Sequence, residues 1–355
     1  MHETFLQAIC EAPEDDTPRL VYADWLDEHN QFERAEFIRA QIRLTHLAPG
    51  NRRFAVLRRR ARDLLAAHGE AWRQGLPKWV RHLCEFQRGF VTHVTCTALQ
   101  FIKHGATLMR AAPVRSMRVR RGEGRIAALA ESPHLAGLTA LDLRSNAAGD
   151  AGAEALAASP HVRHLATLRL GLNNIGATGM SALAASQHLS NLTSLDLRYN
   201  FDHDNPVLAA LATAPWLARL TALDLSSTHR GMVAFRVLLA SPYLPRPLML
   251  SLCSNGLSDD AVELLAASPL LEQVANLDLR GNLFRQRGIQ ALAASPYLAR
   301  VRKLALSWNL FGDAGAHALL ASPHLGQLRR LSVRHCNIES TKDALRQRFG
   351  SRVYL

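Results

Sequence analysis

The sequence predicts an α/β solenoid: a right-handed β/α horseshoe with a parallel sheet inside, helices outside, and an all-α cap at its N-terminus. Three observations predict it. An apolar pattern returns every 27 or 28 residues from Leu138 onward. Within each copy the apolar spacing changes from the period of a strand to that of a helix. The first 45 residues carry no copy of the pattern and read as helices.

The pattern, L-x-x-L-x-L-x-x-N, opens at Leu138, Leu165, Leu192, Leu220, Pro247, Val274, Val301 and Leu328, after degenerate copies from Val91 and Val114. Such regularity marks a leucine-rich-repeat solenoid, and the units resemble the ribonuclease-inhibitor-like class, slightly shortened. Leu195 and Leu197 alternate with polar neighbours, as in a strand with one buried face. The residues after the strand, Asn146, Asn173, Asn200, Asn255, Asn282 and Asn309, are placed to bond turn backbone that stacking would bury. Thr228 and Cys336 replace the asparagine in two copies, where local irregularity is expected. A helix follows, as over 149–159, with Asp150 or Asp313 at the expected N-cap and Leu156, Ala157 and Leu319 facing inward. Proline closes it after Ser159, Ser241, Ser268, Ser295 and Ser322, because the residue before a proline leaves the α region. Strands stack about 4.8 Å apart and helices need about 8–10 Å, so a helix in every unit forces curvature with the sheet inside. At the end, Ser340 or Thr341 starts a last helix, Gly350 stops it, and Val353–Leu355 forms an edge strand.

Four helices are expected before the repeats. "ETFLQAICEA" places Phe5, Leu6 and Ile9 on one stripe and stops at Pro13. The second takes Thr17 as N-cap with Pro18 at the first helical position. The third buries Phe37, Ile38 and Ile42; the fourth, about 51–68, sets Phe54, Leu57, Ala61, Leu64 and Leu65 against six arginines. The run "PEDDTPRLVYADWLDEH…ERAEFIRAQ", from about Glu3 to Leu44, strongly resembles the short repeat-companion domain at the N-terminus of many planctomycete paralogues. "FQRGFVTHV", "AAPVRSMRV" and "LRQRFGSRV" also resemble segments of those proteins. The resemblance implies a bacterial, planctomycete origin and no established activity. The expected organisation is a helical companion domain over 1–45, a basic helical linker or cap over 46–90, the repeat array over 91–337 and a C-terminal cap over 338–355.

The chain has 355 residues and a net charge of +12, unevenly spread. Residues 1–45 carry 4 Arg against 10 acids (net −6), and residues 46–125 carry 17 Lys and Arg against 4 acids (net +13). No apolar run is long enough to span a membrane, and the start lacks the basic and apolar regions of a signal peptide. Five scattered cysteines without a C-x-x-C suit neither a zinc site nor a disulfide framework; they fit a reducing cytoplasm.

No nucleotide-binding, serine-hydrolase or zinc-protease motif is present, so no catalytic, cofactor or metal residue is assigned. His134, His161, His188 and His324 share a repeat position with Trp216, Tyr243, Leu270 and Tyr297, which marks a packing slot. Asp142, Asp196, Asp224 and Asp278 share the middle of the strand beside Arg144, Arg198 and Arg280, and cross-strand ion pairing accounts for them. Asp24, Asp27, Glu28 and Glu36 read as internal salt bridges and caps rather than as an acid–base or metal cluster, with Asp24 placed near Arg19, Arg34 or Arg39. The inner face then offers Arg118, Arg120, Arg121, Arg144, Arg169, Arg198 and Tyr199 toward one end. Its centre is small and neutral (Ser226, Ser227, Ser251, Cys253, Ser254), and Trp308, Arg330, Arg334 and His335 lie toward the other end. Arginine with exposed aromatics is the composition of interface anchors. The favoured function is a monomeric, non-enzymatic module that binds an acidic protein on its concave face. Polyanion or nucleic-acid binding through the arginine helix and the 118–121 strand is the alternative. A GTPase-activating-type role rests only on similarity of the repeat class to Ran GTPase-activating proteins.

Overall fold

A computed structural model describes residues 2–48, 50–200, 206–228, 232–243 and 249–355. It divides into two compact units, Met1–Gly122 with Ser132–Asp142, and Glu123–Glu131 with Leu143–Leu355.

The first unit opens with α1 (His2–Glu11), α2 (Thr17–Glu28), α3 (Phe32–Thr45) and α4 (Arg52–Trp72). The start of α2 differs by one residue from expectation. Thr17 is already helical, and its N–H donates to Asp15 Oδ1 at 2.8 Å, so the aspartate two residues upstream does the capping. One core joins Ile9, Tyr22, Leu26, Ile38 and Phe90; another joins Phe37, Ala40, Ala61 and Leu64. Arg39 reaches Asp24 (2.5 Å) and Asp27 (2.7 Å), and Arg60 clamps Glu36 through two nitrogens (2.7 and 2.6 Å), so these acids serve ion pairs.

Arg34 is held differently. Its guanidinium lies 4.7 Å from the Trp72 ring centroid and 5.2, 5.6 and 5.7 Å from those of Phe90, Phe86 and Phe37. Nη1 is buried with no hydrogen-bond partner among the described residues, and burial pulls the group down to about 10. Ring quadrupoles offset part of the desolvation of this cation.

Beyond α4, β1 (Cys84–Gln87) and β2 (Phe90–Thr97) pair antiparallel. Arg88 and Gly89, with φ of 51° and 85°, make the tight turn between them. The 46–90 segment, expected to be helical, therefore ends in a strand. Thr97 and Gln100 cap α5 (Ala98–Ala111) reciprocally, and β3 (Ser116–Arg120) and β4 (Ala140–Asp142) extend the sheet in parallel.

The second unit is the repeat array. Its strands are β5 (Thr167–Arg169), β6 (Ser194–Asp196), β7 (Ala222–Asp224), β8 (Met249–Ser251), β9 (Asn276–Asp278), β10 (Lys303–Ala305), β11 (Arg330–Ser332) and β12 (Val353–Tyr354). Each pairs in parallel with the next, which places Leu168, Leu195, Leu223, Leu250, Leu277, Leu304 and Leu331 in one buried row. The helices are α6 (Ile126–Ala130), α7 (Gly149–Ala158), α8 (Ala177–Ala185), α9 (Pro206–Leu211), α10 (Met232–Leu239), α11 (Asp259–Ala267), α12 (Gln286–Ala294), α13 (Gly312–Ala321) and α14 (Lys342–Phe349). They bury Leu156, Leu183, Leu265, Leu292 and Leu319. Each such leucine contributes about 2 kcal/mol once enclosed, and only the neighbouring repeats enclose it.

Three polar ladders join the repeats. Asn282 Nδ2 donates to Leu252 O (3.0 Å) and Leu279 O (2.9 Å), while its Oδ1 accepts from Asn255 N (3.0 Å) and Leu257 N (3.1 Å). Asn173 and Asn200 repeat the scheme. The Thr228 hydroxyl donates to Leu225 O, and Cys336 Sγ lies 3.3 Å from Leu306 O. The expected irregularity does not appear in the residue before each, and residues 229–231 lie outside the described residues. Ser227 and His335 hold positive φ of 51° and 56°, close to Tyr199 at 55°. Serine forms the second ladder: Ser159, Ser186, Ser241, Ser295 and Ser322 each donate Oγ to a carbonyl in or just after the helix of the preceding repeat.

The third ladder corrects the N-cap expectation. Asp150 and Asp313 lie inside their own helices and cap the following one instead. Asp150 Oδ1 accepts from Gly176 N (2.7 Å), and Asp259 Oδ1 accepts from Arg285 N and Gly288 N (both 2.7 Å). Asp313 takes the N–H groups of Glu339 and Ser340 (both 3.1 Å) and Thr341 (2.9 Å) and the Thr341 hydroxyl (2.7 Å). A Cβ at Gly179 or Gly288 would meet the capping carboxylate at 2.6 or 2.7 Å, so only glycine admits this approach.

Three outcomes follow from these contacts. Asn282→Ala strands two carbonyls and two N–H groups and should cost about 3 kcal/mol or more in urea unfolding. The Thr341 hydroxyl, then the Ser340 and Thr341 N–H groups, hold the Asp313 carboxyl well below the usual carboxylate range. Its stabilisation is therefore complete above the unfolded aspartate's range and drains as pH falls through the lower folded value. Amide exchange in α14 should accelerate in Asp313→Ala at neutral pH, and the gap to the parent should close in strong acid. Arg34→Met keeps the volume and removes the buried cation, so its stability should match or exceed the parent's by about 1 kcal/mol, whereas Arg34→Ala should lose about 2 kcal/mol.

Candidate protein-binding face

The leucines of β5–β11 point toward the helices, and the intervening strand residues point the other way. Two columns flank the leucine row on this open face, and a third set stands at its margin. Arg169, Asp196, Asp224, Ser251 and Asp278 follow the row; Arg198, Ser226, Cys253 and Arg280 stand two residues later. The register sets Asp196 beside Asp224, two like charges on adjacent strands. Arg198 answers both: its Nη2 is 2.7 Å from Asp196 Oδ2 and its Nε 3.8 Å from Asp224 Oδ2. Arg280 likewise binds Asp278 at 2.6 Å. The two tight pairs, Asp196–Arg198 and Asp278–Arg280, thus lie within one repeat, at positions i and i+2, and Arg198–Asp224 crosses to the next strand. Residues two apart share a face and need no neighbour to meet, so pairing along one repeat joins the expected cross-strand pairing. The Asp196 carboxylate holds the Arg198 guanidinium above its ordinary value.

Around this network lies an open cavity of about 580 Å³ that includes Met249, Lys303 and Arg330 in its lining. Ser251 and Ser226 are central as expected, sharing a 2.7 Å bond, but Asp224 and Asp278 interleave with them and Ser226 donates to Asp224 at 2.5 Å. The centre is not neutral.

The margin is set by backbone. Leu172, Tyr199, Ser254 and Trp308 have φ of 59°, 55°, 57° and 65°, and Gly281 holds the same place at 65°. The left-handed conformation costs about 1–2 kcal/mol in a non-glycine residue. Each N–H here donates to the next strand's exit: Leu172 to Arg198 O (2.9 Å), Tyr199 to Ser226 O (2.9 Å), Trp308 to Arg334 O (2.8 Å). The side chains are left in solvent; Trp308 is 62% exposed.

The anticipated residues fall into separate groups. Arg118 and Arg120 are exposed on β3 of the first unit, and Arg121 follows with φ of 51°. Arg144 and Arg198 are half-buried in the second unit, where Arg169 is exposed. Trp308 stacks on His335 with ring centroids 3.9 Å apart. Arg330 lies 4.5 Å over Tyr354, and the exposed Arg334 bonds Ser307 Oγ through its backbone N–H. Tyr199 stands four repeats from Trp308, roughly 20 Å along the stack. Leu283 and Leu310, 69% and 53% exposed, were missed. In "GNLF" and "WNLF" the asparagine and the phenylalanine turn inward while the leucine between them does not, and Phe284 and Phe311 stack in the core.

Among the described residues no three His, Cys, Asp or Glu gather as a metal site, and no helix is long and apolar enough to cross a membrane. Burial pushes the Cys96 thiol up to about 12 and those of Cys10 and Cys336 to about 11, which makes them poor nucleophiles.

A family model described as Leucine Rich repeat matches residues 136–157 and 161–184. No curated protein sequence matches the chain. Among solved structures, an internalin (inlF) from Listeria monocytogenes str. 4b F2365 is similar over 68% of this chain and 81% of that one, with 16% identity and a TM-score of 0.35. Motif, strand register and family match agree: the chain carries leucine-rich repeats folded as an α/β solenoid.

Proposed function

We propose that the chain is a non-enzymatic protein-interaction scaffold whose repeat unit holds an acidic partner on the open sheet face, toward the C-terminal strands. The observation that carries this reading is the clustering there of exposed cations and one rigid aromatic pair. Lys303, Arg330 and Arg334 are exposed, and Trp308 is stacked on His335 beside them. Leucine-rich repeats generally serve protein–protein interaction, and stacked repeats build extended binding surfaces. Tryptophan and arginine are the side chains most often dominant in such interfaces. Farther along the face, Arg198 and Arg280 are engaged by their own aspartates, so the C-terminal cations offer a partner's carboxylates the least competition.

The N-terminal helices enter as support. Tyr22, Ala23, Leu26, Ala35 and Ile38, all within the run that resembles the repeat-companion domain, are core residues, and Arg39 clamps Asp24 and Asp27. We read that signature as a folding signature.

The test compares the parent with Trp308→Ala and with Arg330→Glu/Arg334→Glu in affinity purification from the native host, then in titration of the purified partner. Each variant should weaken Kd by about 10–100-fold with an unchanged melting temperature. Unaltered affinity in both variants would overturn the assignment.

A further inference from the structure

A second surface, in the first unit, is independent of the repeat face. A cavity of about 670 Å³ opens where α3 ends and α4 begins. Its rim is cationic: Arg43 in the last turn of α3, His46 just beyond it, and Arg52 and Arg53 in the first turn of α4. Its lining also holds apolar side chains, Leu47, Val56 and Leu57, with Val56 69% exposed.

The charges here are arranged against the local field. The N-terminus of a helix carries partial positive charge and favours acids in its first turn. The first turn of α4 has no acid and two arginines. Farther along the same helix three arginines have carboxylate partners: Arg60 has Glu36, and Arg59 and Arg62 have Asp63. His46 faces Asp16 at 3.5 Å. Among the described residues no carboxylate comes within ion-pair distance of Arg43, Arg52 or Arg53. An anion between them would complement three cations and a helix dipole together.

The apolar part of the lining narrows the chemistry. Inorganic phosphate or a nucleic-acid backbone would match the rim and leave Val56 and Leu57 in water. An uncharged hydrocarbon would do the reverse. A lining of three arginines, a histidine and three apolar side chains suits a ligand that carries both characters. We propose that the α3–α4 cavity binds an amphiphilic anion, a phosphate or carboxylate head on an aliphatic chain, with Arg43, Arg52 and Arg53 on the head and Val56 and Leu57 along the chain. A free single-chain lipid and a headgroup at a bilayer surface share this chemistry.

The experiment is calorimetric titration of the full chain with monomeric dodecyl phosphate, against inorganic phosphate, dodecyl maltoside and a labelled DNA duplex. Dodecyl phosphate should bind saturably and about tenfold or more tighter than inorganic phosphate, and dodecyl maltoside more weakly still. Arg52→Glu/Arg53→Glu should lose about tenfold or more, and Val56→Ser should weaken dodecyl phosphate without changing inorganic phosphate. Arg118→Glu on β3 serves as a charge control and should change nothing. In the absence of ligand, Arg52→Glu should raise the melting temperature by about 1–2 °C, because the helix dipole is then complemented; this separates a folded variant that has lost its ligand from a damaged one. Vesicles containing phosphatidylglycerol assign the source: capture abolished by the same double variant points to a bilayer, and binding of the monomer alone to a free lipid, both in support. Equal affinity for inorganic phosphate, tighter binding to the duplex, or indifference to the Arg52 and Arg53 changes would each overturn the proposal.

Discussion

The repeat unit depends on one constraint: the turn that leaves each strand buries backbone groups that only the adjoining repeat can satisfy. Asn282 illustrates it by taking a carbonyl from its own turn, another from the preceding repeat, and two N–H groups from that same neighbour. Leaving such groups unpaired costs about 1–3 kcal/mol each, comparable to burying a leucine. Serine oxygens on helix carbonyls and aspartates on the next helix's N-terminus extend the same logic to the outer layer. Stability is therefore held at the joints between repeats, and the end of the array needs a closing element. The Asp313 carboxylate and the β12 strand supply it by receiving α14 and pairing with β11.

Because these joints use buried residues, the open face is released from structural duty. Leucine and asparagine columns are nearly invariant along the unit, whereas the columns between them change from arginine through aspartate and serine to lysine and tryptophan. Backbone geometry adds to this freedom. A left-handed residue at the strand exit is stabilised by its N–H bond to the next repeat whatever its side chain, so Leu172, Tyr199, Gly281 and Trp308 can occupy equivalent places. The scaffold can thus carry large exposed aromatics at regular positions, which is what an interaction surface requires.

The first unit follows another rule. Its core accepts a guanidinium where a hydrophobic residue would be cheaper, and surrounds Arg34 with Trp72, Phe86, Phe90 and Phe37. That arrangement draws α3, α4, β1 and β2 to one point. The residues of the run from about Glu3 to Leu44 are accordingly spent on helix packing and on the Arg39 clamp.

The repeat, its strand and helix periods, the asparagine ladder, the helical start and the closing helix and strand were legible in the sequence, because each is written in local periodicity that 27-residue spacing makes self-confirming. Contacts reaching one repeat onward were not. Asp150 looks like the cap of its own helix, and only stacking brings its carboxylate to Gly176. The Asp196–Arg198 pair was seen, but its direction was not, since whether an arginine folds back along its strand or across it depends on register and side-chain course. Leu283 and Leu310 were hidden by their own hydrophobicity, which predicts burial until a phenylalanine next to each takes the inward place. Sequence determined which residues repeat; tertiary structure decided which partner each repeat presents to the next, because that choice is made across space between segments that share no local signal.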